Sequence, residues 1–229
     1  METARSGMAE IKPCFIFKAP GRDSDAEFTV KRSRFIGSVR VVLSAEEAAE
    51  TIKSFPALYP KANHHCWAYR IGVESPLEHC SDAGEPAGTA GRPILGMLKR
   101  YSLNNTLIVV TRYFGGIKLG VRGLIDAYGG AAELAIEEAG VVDMEFHNLL
   151  ELACGYDYSK TLLSLFHKWG FADGHLSVNY GENVEVKSEI PCSMRSEISA
   201  VFEELEARGF LKKNQWHEEL LVRKKWLQG

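Results

Sequence analysis

The sequence predicts an α+β protein of two domains, and three observations carry that expectation. Segments with strand character interleave with amphipathic stretches at helical spacing along most of the chain, so neither type dominates. The pattern resets near His147, and the residues beyond it form a complete βαββαβ set. The 229 residues, 45% apolar and 25% charged, are enough to fill two modest cores. The expected division is a frayed segment over 1–12, a first domain over 13–146 and a second over 147–229.

Cys14 to Lys18 and Glu27 to Arg32 read as short strands around a Pro20-Gly21 turn. Phe35 to Leu43 alternates as a third strand. Ser44 reads as a helix N-cap, and Glu47 three residues on completes a capping box. The helix follows as Ala45 to Phe55, with Pro56 expected to stop it. His65 to Val73, rich in aromatic and β-branched residues, is a strand leading into a loop that runs to Pro93. Ile94 to Tyr101 has helical spacing. Leu107 to Tyr113 is an apolar run between turn signals, the mark of a buried strand. A glycine-rich turn runs on to Gly123, and Leu124 to Ala139 is an amphipathic helix ended by Gly140.

In the second domain Leu149 to Tyr156 is a strand and Ser159 to Trp169 a helix closed by Gly170. Ala172 to Tyr180 and Val184 to Ile190 form a hairpin around Gly181-Glu182-Asn183. Ser193 is the expected N-cap of a helix running to about Arg208, which Gly209 ends, and Lys213 to Val222 is the last strand. This order is the split βαβ, or ferredoxin-like, pattern.

The net charge of −3 argues against a protein basic all over, though not against a local basic patch. No window approaches the ~18 apolar residues of a membrane span, and the N-terminus lacks the apolar core of a secretion signal. The five cysteines are odd in number with no CxxC pair, which fits reduced thiols. A cytoplasmic protein without membrane contact is expected.

The segment Ser81 to Tyr128 stands out. Gly84 to Gly130 holds ten of the 21 glycines, and Ser81 to Tyr128 carries six basic residues against three acidic ones. Glycine at this density signals special backbone angles or close backbone approach to a partner. The turn with Gly115, Gly116, Lys118, Gly120 and Arg122 links a buried strand to a helix start, where free N–H groups and partial positive charge favour an anion. Arg92 and Arg112 would reinforce it, and Tyr113 and Phe114 at the strand end are candidates to stack on bases. The competing reading is a structural turn with solvated basic side chains. The spacing fits neither a Walker A loop nor a dinucleotide fingerprint.

The earlier loop sets Asp82, Gly84, Glu85, Gly88, Thr89 and Gly91 together. Asp82 and Glu85 suit either an acid pair, with or without magnesium, or the plain task of pinning the loop by hydrogen bonds and ion pairs. His64 and His65 precede Cys66, but with His79 and Cys80 they do not match structural-zinc spacing. No metal and no cofactor is expected.

Several of these stretches together resemble a known family. They are Ser33-Arg34-Phe35-Ile36, His64 through Arg70, Gly84-Glu85-Pro86-Ala87-Gly88-Thr89-Ala90-Gly91, and Arg112 through Gly120. They resemble the IMPACT family, in particular its bacterial YigZ-like members, from about Cys14 onward. The resemblance implies that the first domain shares the fold of the second domain of a small-subunit ribosomal protein and of domain IV of elongation factor G. It implies a ferredoxin-like second domain, similar to domain V of that factor. It also implies a link to translation, since the eukaryotic namesake is associated with control of initiation. RNA, the ribosome or the translation machinery is the implied partner, and no enzymatic activity comes with the family.

Two departures from the family pattern matter. Ala83 replaces the second aspartate of Asp-Asp-Gly-Glu-Pro, which weakens any dicarboxylate or metal reading. Val121 and Arg122 replace the threonine and glycine of the second loop. That shifts the weight from a backbone phosphate cradle to side-chain contact with a polyanion. The alternatives are an enzyme binding a nucleotide or a small-molecule phosphate with the same loops, and a module that contacts only proteins of the translation machinery.

Overall fold

A computed structural model describes residues 16–171 and 173–224. The chain divides into two compact units, one spanning Phe17–Met144 and the other taking in the chain from Glu145. Both units are mixed α and β.

The first unit is built on an antiparallel sheet in the order β2-β3-β6-β4-β5. The strands are β2 (Ser24–Val30), β3 (Ser33–Val41), β4 (His64–Ile71), β5 (Leu77–Ser81) and β6 (Thr106–Tyr113). Helix α1 (Ala45–Leu58) contributes to the core on one face, and α2 (Gly91–Arg100) and α3 (Gly120–Ala139) to the core on the other. Alternation along the strands sorts the side chains. Cys66, Ala68, Ile108 and Val110 meet Ile94, Leu98, Tyr128 and Ala131, while Tyr69, Ile71, Leu107 and Val109 meet Ala48 and Phe55. Both faces of β6 are therefore covered, which is why it reads as an unbroken apolar run. Each fully buried aliphatic side chain contributes about 1.5–3 kcal/mol. Helix α3 lies so close that a Cβ on Gly37 would sit 2.1 Å from the Ala131 carbonyl oxygen.

Several boundaries differ from expectation, each for a local reason. The strand expected over Glu27 to Arg32 ends at Val30. Lys31 (φ 44°) and Arg32 (φ 64°) form a two-residue hairpin turn, with Val30 paired to Ser33. Helix α1 does not stop at Pro56 but runs to Leu58, and Tyr59 N–H closes its end on the Phe55 carbonyl. Ser44 Oγ accepts from Glu47 N–H as a capping residue should, but the Glu47 carboxylate accepts from Leu43 N–H, one residue outside the usual box. Strand β5 falls within the stretch expected as loop, because Leu77-Glu78-His79-Cys80-Ser81 carries no regular alternation of apolar and polar residues. Helix α2 begins at Gly91 rather than Ile94, and α3 at Gly120 rather than Leu124.

Strand β7 (Val141–Cys154) opens the second set, followed by α4 (Tyr156–Lys168), β8 (Leu176–Tyr180), β9 (Val184–Pro191), α5 (Arg195–Ala207) and β10 (Leu211–Lys224). Antiparallel pairing runs β7-β9-β8, while β10 and the short β1 (Ile16–Pro20) both pair with β7. Leu150, Leu152, Phe166, Val186, Ile198 and Phe202 form its core. A single 3-10 turn, Asp173–His175, replaces the expected start of β8, and Ala172 itself lies outside the described residues, as does Cys14. Ser193 is not an N-cap. It sits within a 3-10 turn, Cys192–Met194, that leads into α5. Gly140, Gly170 and Gly209 all take positive φ at helix ends.

Candidate functional site

The first glycine loop is held by its own aspartate. The Asp82 carboxylate accepts from the N–H groups of Gly88 (2.8 Å), Ala90 (3.0 Å) and Gly91 (2.8 Å). It thereby caps α2, whose own N-cap residue, Ala90, has no side chain able to do so. Burial raises the Asp82 pKa, but these three bonds and the nearby Arg92 charge outweigh it and hold the carboxyl below its usual value. Thr89 is buried, and its hydroxyl donates to the Pro86 carbonyl. Gly84 and Gly88 take positive φ, and Gly91 passes so close to Ser81 that a Cβ would lie 2.9 Å from its backbone. Of the two sequence readings of this loop, the geometry fits the pinning one.

The two motifs meet through Glu85 and Arg112. The Arg112 guanidinium lies 2.5 Å from Glu85 Oε1, with side chains 6% and 4% exposed. Tyr128 Oη–H donates to the same carboxylate oxygen at 2.8 Å, and Arg112 lies over the rings of Phe35 and Phe114. Arg112, expected as a surface contact for an anion, is thus a buried strut. Its charge is paired with Glu85, and both side chains are almost fully buried.

His64 closes the side of this cluster. Its Nδ1 lies 2.9 Å from the Ala83 carbonyl oxygen, so that nitrogen carries the proton, and its Nε2 is 3.8 Å from Glu85 Oε1. His65 is on the opposite face and shares a hydrogen bond with the Thr111 hydroxyl. Burial, then the neighbouring His64 charge, lower its pKa. Cys66 donates from Sγ to the Asp82 carbonyl. Burial above all, with the carboxylates of Glu85 and Asp82, pushes this thiol up to about 12, against the opposing effects of Tyr128 and Arg112. Among the described residues no group of His, Cys, Asp and Glu is arranged to hold a metal ion.

The second glycine loop is the exposed part. Asn63 fixes its start, accepting from Phe114 N–H at 2.7 Å, and Tyr113 donates to the Pro60 carbonyl. Gly115 N–H donates to Ser33 Oγ. Gly116 and Gly120 take positive φ and face open space. Helix α3 starts at Gly120 with no side-chain cap on its first N–H groups, so Val121, Arg122 and Gly123 belong to its first turn. Phe114, Ile117, Lys118, Val121 and Arg122 are exposed around it.

Pairing trims the local positive charge. Arg112 is bound to Glu85, Lys99 to Glu78, Arg100 to Glu133 and Arg122 to Asp126. Arg92 and Lys118 are exposed and form no ion pair among the described residues. The Arg122 pair is a surface contact within one helix turn, with the Arg122 side chain 86% exposed, so a stronger anion would displace it at small cost. Sequence reasoning missed Ser33 and Tyr128 as members of the site, since nothing local in either residue announces a partner so distant along the chain.

Among the described residues no helix is long and apolar enough to cross a membrane.

Comparison with known proteins agrees with the motifs. The family model described as the Impact N-terminal domain matches residues 31–136. The chain is 36% identical over 164 residues to the IMPACT family member YvyE of Bacillus subtilis, covering 72% of this chain and 75% of that one. It is 33% identical over 174 residues to the IMPACT family member YigZ of Escherichia coli, covering 75% and 84%. Among solved structures, a crystal structure described as that of a hypothetical protein superposes with a TM-score of 0.61 at 30% identity, covering 89% of this chain and 98% of the other. Motifs and relatives converge, and this chain belongs to the IMPACT family.

Proposed function

We propose that this chain is a cytoplasmic, translation-associated regulatory protein that contacts RNA or ribosomal phosphates through the loop between β6 and α3. Membership of the IMPACT family supports the translation-regulatory role. The observation that carries the site is the uncapped start of α3, with Lys118 beside it in no ion pair among the described residues, Arg122 in its first turn and the open glycines Gly116 and Gly120 alongside. Free N–H groups and exposed cations favour a polyanion there. Arg92 adds a third exposed cation at the start of α2. Tyr113 is half-buried with Arg34 over its ring, whereas Phe114 is exposed and has Arg112 on one face, so Phe114 is the ring this reading assigns to stacking.

The same reading takes the second unit as ferredoxin-like, which its split βαβ order and its β10-β7-β9-β8 sheet support. It takes the first unit as related to the second domain of a small-subunit ribosomal protein.

The test is fluorescence anisotropy with a labelled single-stranded RNA over a salt series, comparing the wild type with a variant carrying Arg92→Ala, Lys118→Ala and Arg122→Ala. The wild type should bind with a steep salt dependence. Losing up to three phosphate contacts should lower the slope of log K against log salt by about 2. Equal affinity and slope in the two proteins would refute the site.

A further inference from the structure

The hairpin tip between β2 and β3 is built in a way its own stability does not explain. Lys31 and Arg32 both sit at positive φ, 44° and 64°, where a residue with a Cβ is strained. A two-residue turn of this kind favours Asn-Gly, and here two long cations occupy it instead. Both are exposed, and neither forms an ion pair among the described residues, whereas nearby Arg34 is matched to Glu27. Strain retained at an exposed position is a pointer to function.

The tip is also fastened to the basic loop. A Cβ on Gly115 would lie 2.0 Å from the Arg32 carbonyl oxygen, so the two backbones are in direct contact only because residue 115 is glycine. Ser33, next to the turn, accepts from Gly115 N–H at 3.1 Å. Lys31 and Arg32 are thereby anchored to the same short loop that presents Lys118, with Phe114 exposed beside it.

We infer that Lys31 and Arg32 are phosphate-contacting residues of one RNA-binding surface formed by the hairpin tip and the loop after β6. This rests on the reading proposed above and extends it across a second element. A polymer with regularly spaced phosphates suits cations carried on an anchored backbone and flanking an exposed aromatic ring and open glycine backbone.

The test is the double variant Lys31→Asn with Arg32→Gly, which keeps the turn and removes both charges. Its melting temperature should rise, because the strain is relieved. Its affinity for single-stranded RNA should fall about tenfold at moderate salt, and the slope of log K against log salt should fall by about 1.4, two phosphate contacts' worth. A Lys31→Gln, Arg32→Gln variant, which keeps the side-chain bulk, should lose the same slope. If the wild type binds RNA and the Arg92, Lys118 and Arg122 variant is weakened while both hairpin variants match the wild type, this inference fails and the parent reading stands. If the wild type binds no RNA, both fail. A loss of affinity with an unchanged salt slope overturns the phosphate contact. Displacement of RNA by polyglutamate as readily as by unlabelled RNA overturns the choice of partner in favour of an acidic polypeptide.

Discussion

Glu85 and Arg112 form a buried ion pair, 2.5 Å between guanidinium and carboxylate, that ties the first glycine motif to the second. Tyr128 of α3 donates to the same carboxylate oxygen, so strand, loop and helix converge on one acid. Residues that look like binding or catalytic groups in the sequence are here the frame on which the exposed loop is mounted.

Removing one partner leaves a charge stranded in the interior. Glu85→Ala should destabilise the first unit by about 3–5 kcal/mol. Replacing both partners with apolar residues of similar size, as Glu85→Leu with Arg112→Met, should recover most of that loss. Urea denaturation of Glu85→Ala and of the double variant checks both statements. A cost below about 1 kcal/mol for Glu85→Ala would contradict the assigned role.

Ala83 sits at φ 42°, a conformation that disfavours any residue with a Cβ except, mildly, asparagine and aspartate. Ala83→Gly should therefore stabilise the protein by up to about 1 kcal/mol. The aspartate usual in the family at this position is compatible with the same backbone. A melting curve decides it, and a lowered melting temperature for Ala83→Gly would count against the left-handed turn.

The high pKa of Cys66 has a consequence for alkaline stability. Its folded value, about 12, lies above its ordinary 9.0, so the unfolded chain gives up this proton first as pH rises. Stability from this group is complete below pH 9 and declines between pH 9 and 12, by about 1.4 kcal/mol per pH unit. Tyr128, also raised mainly by burial, acts in the same direction above its ordinary 10.0. Cys66→Ala should flatten the stability curve between pH 9 and 10, as followed by denaturation midpoints. A thiol reagent at neutral pH should leave Cys66 untouched in the folded protein, since the thiolate is the reactive form.

Gly115 and Gly116 are adjacent but face different surroundings. Gly115→Ala forces a Cβ into the Arg32 carbonyl and should cost about 1–3 kcal/mol or push the hairpin tip away. Gly116→Ala meets open space and should cost only the strain of its positive φ, about 1 kcal/mol. Thermal denaturation of the pair should rank Gly115→Ala as the worse variant.

Much of the architecture is local and legible in the sequence. The apolar run of β6, the Ser44 cap and the glycine ends at Gly140, Gly170 and Gly209 follow from side-chain period and backbone freedom. So does the βαββαβ order of the second set, and the family can be recognised from its long motifs. What the residues of those motifs do was decided only by tertiary contact. Asp82 caps a helix from outside it, Gly115 binds a serine 82 positions away, and Arg112 finds its acid 27 positions away. A short window along the chain contains Asp82 and Gly91 but neither of the other two pairs, and a charge has a different meaning exposed than it has buried against a partner. The sequence by itself determined most of the elements, though not β5, and the family. The tertiary structure alone decided that Arg112 is a strut, and that Lys118, Arg92 and the two cations of a hairpin turn with none of the usual turn residues form no ion pair among the described residues.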